Sequence, residues 1–421
     1  MISRWKWILK QTFKKLWFRA TLFAIVAIIT ALLSILFKSM IPESISVKVG
    51  AEAVDNILNI LASSMLAVTT FSLSIMVTAY GSATTNVTPR ATRLVVEDST
   101  TQNVLATFIG SFLFSLVGII ALNMGAYGDR GRVILFIVTL IIIALILITL
   151  LRWIQHLTSL GRVGETTARV EKAAIDAFSI RAKTPYLGGF PWLDSESPPT
   201  GTFAFYTAQI GYIEHIDMSK LKNALDDNSL HIYLNVQPGS FVHPSSPLMF
   251  LTARATKVLS DSLMSAFTIS EARSFSQDPR FGLCVLSEIA SRALSPAVND
   301  PGTAIDVLGR AVRILSLYAQ EMSTCAEIIY PNIHVAPLSV DNIFDDIFSP
   351  IARDGAKLRE VQIRLLKSLG MLSSSWPELY SESAKKHAKE ALNYVIHSQP
   401  LNSDLRLLYR TYEDCLMKQH L

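Results

Sequence analysis

Charge is scarce in this sequence. Only 17% of its 421 residues are Asp, Glu, Lys or Arg, against about a quarter in ordinary soluble domains, while half are hydrophobic. That deficit points to a bilayer. A net charge of +4 is too small to mark a nucleic-acid binder, so no nucleic-acid partner is expected. Cysteine is also scarce: Cys284, Cys325 and Cys415 stand far apart with no CxxC pair, which excludes a disulfide framework and reads as reduced cytosolic thiols. The eight histidines form no HxxxH or HExxH arrangement, and none is assigned a Cys, Asp or Glu partner at ligand spacing. No metal or other cofactor is therefore expected. G-x-S-x-G elbows, Walker-type loops and dinucleotide fingerprints are absent as well, so no catalytic residue is assigned and no enzyme is expected.

What is present in quantity is apolar run. Four stretches, about 18–37, 57–80, 104–124 and 133–152, reach the roughly 20 residues that cross a hydrocarbon core. Before them, residues 1–17 interleave Arg4, Lys6, Lys10, Lys14 and Lys15 with Trp5, Trp7, Phe13 and Trp17, the pattern of an interfacial helix rather than a cleaved signal. The second stretch carries no charge between Asp55 and Arg90 but many hydroxyls. At 100° per residue, Ser63, Ala67, Thr70, Ser74, Thr78 and Gly81 share one face. The third places Ser111, Ser115 and Gly118 on one stripe, so these two spans are read as the inner pair. Ser63, Thr70, Ser74, Thr78, Ser111 and Ser115 are candidates for lining a path or packing helices closely. Ion-coupled transport is disfavoured, because spans two to four hold no ionisable residue to carry the coupling.

Basic residues set the orientation. Arg90 and Arg93 between spans two and three, Arg152, Arg162, Arg169 and Lys172 after span four, and the basic N-terminal arm all belong on the cytosolic side. Both termini are then cytosolic. A helical stem and a linker rich in proline and glycine fill 153–200, with periodic Trp153 to about Ile180 continuing span four. A small β-rich subdomain is expected at 201–255, with strands at Phe203–Ile210, Tyr212–Ile216, His231–Val236 and Leu248–Leu251, and a short helix at Met218–Asp226 capped by Asp217. The remaining 256–421 is read as helical, with helices Phe281–Leu294, Ala304–Tyr318, Val340–Phe348, Ile351–Leu372, Ser381–His397 and Asp404–Lys418, separated in part by Pro350 and Pro377.

Within that helical part, RALSPAVNDPGTAIDVLGR makes a tight helix–turn–helix corner. Asp300 before Pro301 has the form of an N-cap followed by proline at the first helical position. Capping accounts for these residue types. A functional reading adds Arg292, Asn299 and Thr303 to Asp300 as a ligand site whose free amides bind an anion.

The motifs ASSMLAVTTFSLSIMVTA with its TPR turn, VLATFIGSFLFSL, QPGSFVHPSSPL, FSQDPRFGLCVLSEIASRALSPAVNDPGTAID and SVDNIFDDIFSPIARDG together resemble the bacterial predicted-membrane-protein family known as domain of unknown function 2254. The resemblance implies a bacterial inner-membrane protein and brings no established activity, cofactor or catalytic residue.

The expected fold class is an α-helical integral membrane protein with four transmembrane helices over 18–152 and a cytosolic α+β region. Its expected partners are the lipid bilayer, further copies of itself, and an ion or small solute. Four spans with one polar face do not enclose an aqueous path alone, so a gated passive channel requires a homo-oligomer. The alternative is a membrane-anchored sensor or scaffold whose cytosolic domain binds a ligand or a protein.

Overall fold

The computed structural model describes residues 51–417 except 97, 126–127, 159, 194–196, 198, 226–229 and 323–326, together with Phe18, Thr21, Leu22, Ile25, Val26, Ile28 and Ile29. The basic helix expected at 1–17 and most of the first expected span lie outside the described residues. The chain forms two compact units, Met1–Glu165 and Thr166–Leu421.

Among the described residues of the first unit three helices are long and apolar enough to cross a membrane: Glu52–Thr85, Ser99–Asn123 and Arg132–Leu157. The first belongs to α1 (Ala51–Asn86), whose 36 residues extend about 54 Å, well beyond the roughly 30 Å hydrocarbon core. Pro89, which has no amide proton to continue a ladder, opens the short α2 (Pro89–Val96). Asp98 then caps α3 (Ser99–Asn123) by accepting from the Thr101 amide at 2.8 Å. The last helix of the unit is α4 (Gly128–Leu157). Leu58, Phe108, Phe114, Leu135 and Trp153 fill the space between α1, α3 and α4. Helix α3 approaches α1 closely at Gly118, where an added Cβ would sit 3.1 Å from a Leu58 methyl.

The stem expected to run unbroken from Trp153 is interrupted. Helix α4 stops at Leu157, and Gly161 takes φ +79° within 3.3 Å of Ala79, counted from its would-be Cβ. Only glycine fits both that dihedral and that approach. Helix α5 (Val163–Lys183) starts afresh two residues later.

In the second unit Val170, Ala174 and Phe178 make the buried face of α5. Ala174 meets Gly282 so closely that a Cβ on the glycine would lie 2.5 Å from the alanine methyl. Among the described residues eight strands follow in two sheets. The larger has the order β1 (Gly189–Pro191), β8 (Tyr330–Val335), β4 (Ile232–Leu234), β6 (Pro247–Leu251), β2 (Phe203–Tyr206). Its β1–β8 and β8–β4 pairs are parallel, and the others antiparallel. The smaller sheet, β5 (Phe241–Val242), β3 (Gly211–Ile216), β7 (Phe267–Ser270), is antiparallel. Helices α6 (Met218–Ala224, capped by Asp217) and α7 (Lys257–Met264) accompany the sheets. The shared core contains Ile213, Ile216, Leu221, Leu234, Leu248, Ile333 and Val335.

Helices α8 (Pro279–Ala293), α9 (Pro301–Glu321), α10 (Val340–Asp354), α11 (Arg359–Ser375), α12 (Pro377–His397) and α13 (Asn402–Tyr412) complete the unit. Two expectations need correction. The succession of four spans, a β subdomain and a helical subdomain is too simple, because β1, β7 and β8 lie outside 201–255 and the β and helical segments interleave. Strand β8 pairs with β4 about a hundred residues earlier, and no local periodicity announces such a pairing. Pro350 does not divide two helices either. It sits inside α10, and the break falls after Gly355. The proline costs about 3 kcal/mol, which burial of Ile347, Phe348 and Ile351 on one face, at roughly 1.5–3 kcal/mol each, offsets.

Candidate functional site

Helix α1 packs through Val54, Leu58, Leu61, Met65, Ser72, Ala79 and Ala83, all buried and spaced at one or two helical turns. The hydroxyl stripe lies on the other side: Ser63, Thr70, Ser74 and Thr78 are exposed. Their donors fold back onto the helix. Thr70 Oγ1 donates to Leu66 O at 2.9 Å, Thr78 Oγ1 to Ser74 O at 3.0 Å and Ser63 Oγ to Asn59 O at 3.0 Å. Such back-bonding satisfies the proton and leaves oxygen lone pairs facing outward. Ser111 and Ser115 of α3 are fully buried, with Ser115 Oγ donating to Ser111 O at 2.9 Å. The six candidates thus divide into an outward group on α1 and an inward, helix-packing pair on α3.

Where α3 begins and α4 ends, His156 Nε2 lies 3.0 Å from Asp98 Oδ2 and 3.2 Å from Thr101 Oγ1. The Thr101 hydroxyl also donates to Asp98 at 2.7 Å. In the sequence His156 is one more polar residue beside a span, and only the antiparallel packing of two helices gives it a carboxylate.

In the second unit the sequence motifs interlock. Asp278 caps α8 by accepting from the Phe281 amide at 3.2 Å and from Arg273 Nε at 2.7 Å. Gly239, at φ +94°, rests against that carboxylate. Its neighbour Gln237 accepts from Arg181 Nη2 at 2.7 Å and donates to the carbonyls of Ala336 and Pro337. Burial lowers the Arg181 guanidinium to about 10. Burial likewise pushes the Cys284 thiol up to about 12, with Asp346 adding to the shift. A thiol held protonated in this way is no nucleophile at neutral pH. Cys284, Ser287, Glu288, Asp345, Asp346 and Arg353 line a hollow of about 410 Å³, and Asp346 is held by Arg280 at 2.6 Å.

The corner between α8 and α9 is closed by its own residues. Asp300 accepts from the Thr303 amide at 3.1 Å and from the Thr303 hydroxyl at 2.5 Å, and these bonds hold its carboxyl below the usual range. Asn299 takes φ +51° and donates its amide to Ser295 O. The first-turn amide offered to an external anion is therefore engaged by Asp300. Arg292 is exposed nearby. Asn299 also borders a separate hollow of about 570 Å³ with Pro296, Arg353, Lys357, Tyr394 and His397.

Among the described residues one group has metal-ligand geometry: Asp345 of α10 with His387 and Glu390 of α12, whose donor atoms all lie within 4.8 Å of one another. This group was not among the candidates expected from the sequence. The His387-x-x-Glu390 spacing, one helical turn, is a local signal for it, whereas Asp345 joins only through helix packing.

A profile of the family described as "Predicted membrane protein (DUF2254)" matches residues 14–371. Uncharacterized proteins of Mycobacterium bovis and Mycobacterium tuberculosis are each 24% identical over 277 residues, covering 62% of this chain and 52% of theirs. The chain spans about half the length of these curated relatives. No solved structure matches. With multiple apolar helices of spanning length and a match over most of its length, the chain belongs to the DUF2254 family of predicted membrane proteins.

Proposed function

We propose that several copies of this chain assemble in a bacterial inner membrane to form a passive path for ions or small solutes, bordered by the hydroxyl face of α1 and gated by the second unit. The observation that carries this reading is the outward placement of Ser63, Thr70, Ser74 and Thr78 on a span face without charge. Within one protomer Phe108, Phe114 and Leu135 fill the space between spans, so a path runs between copies. Oxygen lone pairs along α1 offer a permeating cation weak, repeated coordination, which suits conduction better than tight binding.

The Asp98–His156 contact supports the accompanying orientation. It joins the start of α3 to the end of α4, so Arg90, Arg93, Arg152 and Arg162 gather at one end of the spans, the cytosolic end under the positive-inside rule. The test is flux from proteoliposomes loaded with potassium or a small neutral solute, alongside a native-mass measurement of stoichiometry. We expect an oligomer whose flux falls at least tenfold when Ser74→Leu and Thr78→Val are combined. A monomer, or flux that the double substitution leaves unchanged, overturns the proposal.

A second reading, a membrane-anchored sensor, is favoured by the hollow at Asn299, Lys357 and His397, which Arg353 and its ion-pair partner Asp354 also line. Anion-dependent stabilisation of the intact protein that disappears in Lys357→Ala supports that reading, and unchanged melting with phosphate or carboxylates removes it.

A further inference from the structure

We infer that Asp345, His387 and Glu390 form a binding site for a first-row divalent cation of the zinc or manganese class. The inference is independent of whether the spans conduct. The tautomer of His387 is set by its surroundings. The side chain is 2% exposed, and its ring packs on Phe344 with centroids 5.5 Å apart. Nδ1 lies 2.7 Å from Ser383 O, an acceptor only, so Nδ1 carries a proton. In the neutral ring the proton is thereby used, and Nε2 presents a lone pair. Yet Nε2 faces Asp345 Oδ1 at 2.9 Å, and a carboxylate is also an acceptor. Two acceptors at hydrogen-bonding distance require a proton or a metal ion between them.

Three observations bear on the choice. First, Glu390 brings a second carboxylate into the same cluster, with every donor atom within 4.8 Å of the others. A proton on Nε2 serves only one of these carboxylates, whereas a divalent ion balances both. Second, Lys386 Nζ gives its ion pair to Asp341 Oδ2 at 2.9 Å, where Asp341 also accepts from the Ser383 hydroxyl, and it acts on Asp345 and Glu390 only as a more distant charge. Ser349 adds only a long 3.4 Å bond to Asp345 Oδ1. Third, the Nε2–Oδ1 separation of 2.9 Å accommodates adjacent ligands each about 2.1 Å from an octahedral ion as readily as it does a hydrogen bond. A histidine whose far nitrogen is anchored to a backbone carbonyl, with a lone pair aimed at carboxylates, is the usual arrangement of a metal-bound imidazole.

The ligand set also constrains the ion. One imidazole with two carboxylates suits zinc, manganese, iron or nickel better than magnesium or calcium, which take oxygen ligands alone. Asp345 and Glu390 are exposed while His387 is buried, so water completes the coordination sphere. Because Asp345 belongs to α10 and the other two ligands to α12, a bound ion ties these helices together.

The experiment uses the full chain in nanodiscs, stripped with chelator and titrated with MnCl2 under electron paramagnetic resonance, and with ZnCl2 by calorimetry. We expect one saturable ion per protomer, nitrogen coupling in the manganese signal, and affinity at least tenfold weaker in Glu390→Gln and in Asp345→Asn. Both substitutions are at exposed positions, and circular dichroism of each variant checks that it folds. Loss of the nitrogen coupling in His387→Gln completes the assignment. The inference is overturned by no saturable binding, which leaves an imidazolium–carboxylate pair. Binding that both carboxylate variants leave unchanged, marking an adventitious ion only, overturns it equally.

Discussion

His156 Nε2 stands 3.0 Å from Asp98 Oδ2, tying the last turn of α4 to the residue that caps α3. The contact holds together the ends of two antiparallel helices that no sequence motif links. Asp98→Ala removes the cap as well as the contact and is expected to cost about 1 kcal/mol for the cap alone. Asp98→Asn keeps a good capping side chain and loses only the charge, so it is expected to be milder. Thermal unfolding of the detergent-solubilised protein ranks the two, and equal losses count against a separate capping contribution.

The turn at Gly239 is under a tighter constraint. A Cβ there would lie 2.2 Å from Asp278 Oδ2, and φ is +94°, so Gly239→Ala is penalised by both crowding and backbone conformation. We expect a loss of about 2–4 kcal/mol. Gly164, around which nothing lies within 4 Å of an added Cβ, is the matched control, expected within about 0.5 kcal/mol of the wild type as Gly164→Ala. Denaturant midpoints of the two variants give the comparison.

A dependence on pH follows from the His231–His334 pair, whose Nδ1 and Nε2 lie 3.0 Å apart. Desolvation first, and the neighbouring His231 second, lower the His334 pKa below its ordinary 6.5. The folded protein therefore binds this proton less readily than the unfolded chain, and unfolding takes up a proton in that window. The stabilisation is full above about 6.5 and is lost as the pH falls from there toward the folded value. Denaturant midpoints at pH 7.5 and 5.5 should differ, and His334→Gln should flatten the difference. An unaltered pH dependence in that variant rules out the pair as its source.

Cysteine chemistry offers a fourth check. With its thiol raised to about 12 by burial, Cys284 is expected to resist iodoacetamide at pH 8 in the folded protein and to react after denaturation. Mass mapping of the labelled peptides reads this directly. Rapid native labelling of Cys284 contradicts its place beside Arg273, whose Nη1 lies 3.4 Å from the Cys284 Sγ.

Much of the architecture is local enough to be visible before folding. Asp217, Asp278 and Asp300 each accept from the amide three residues ahead, because an N-cap needs only a short acceptor side chain at the right offset. Pro377 opens α12 for the complementary reason that a proline at the first helical position forfeits no bond. The spans between 51 and 157 are similarly plain, since their length and lack of charge act residue by residue. Pro350 misleads because its helix continues on the strength of a buried face that depends on neighbours.

The sequence by itself therefore determined that this is a multi-pass membrane protein, where its described spans lie, and which aspartates begin its helices. Only the tertiary structure decided that the hydroxyls of α1 point away from α3, that β8 joins β4, and that Asp345 meets His387 and Glu390. The physical reason is range. Capping and hydropathy are set by residues a few positions apart, whereas burial of one helix face, parallel strand pairing and a shared donor cluster depend on segments brought together by packing from 40 to 100 residues away.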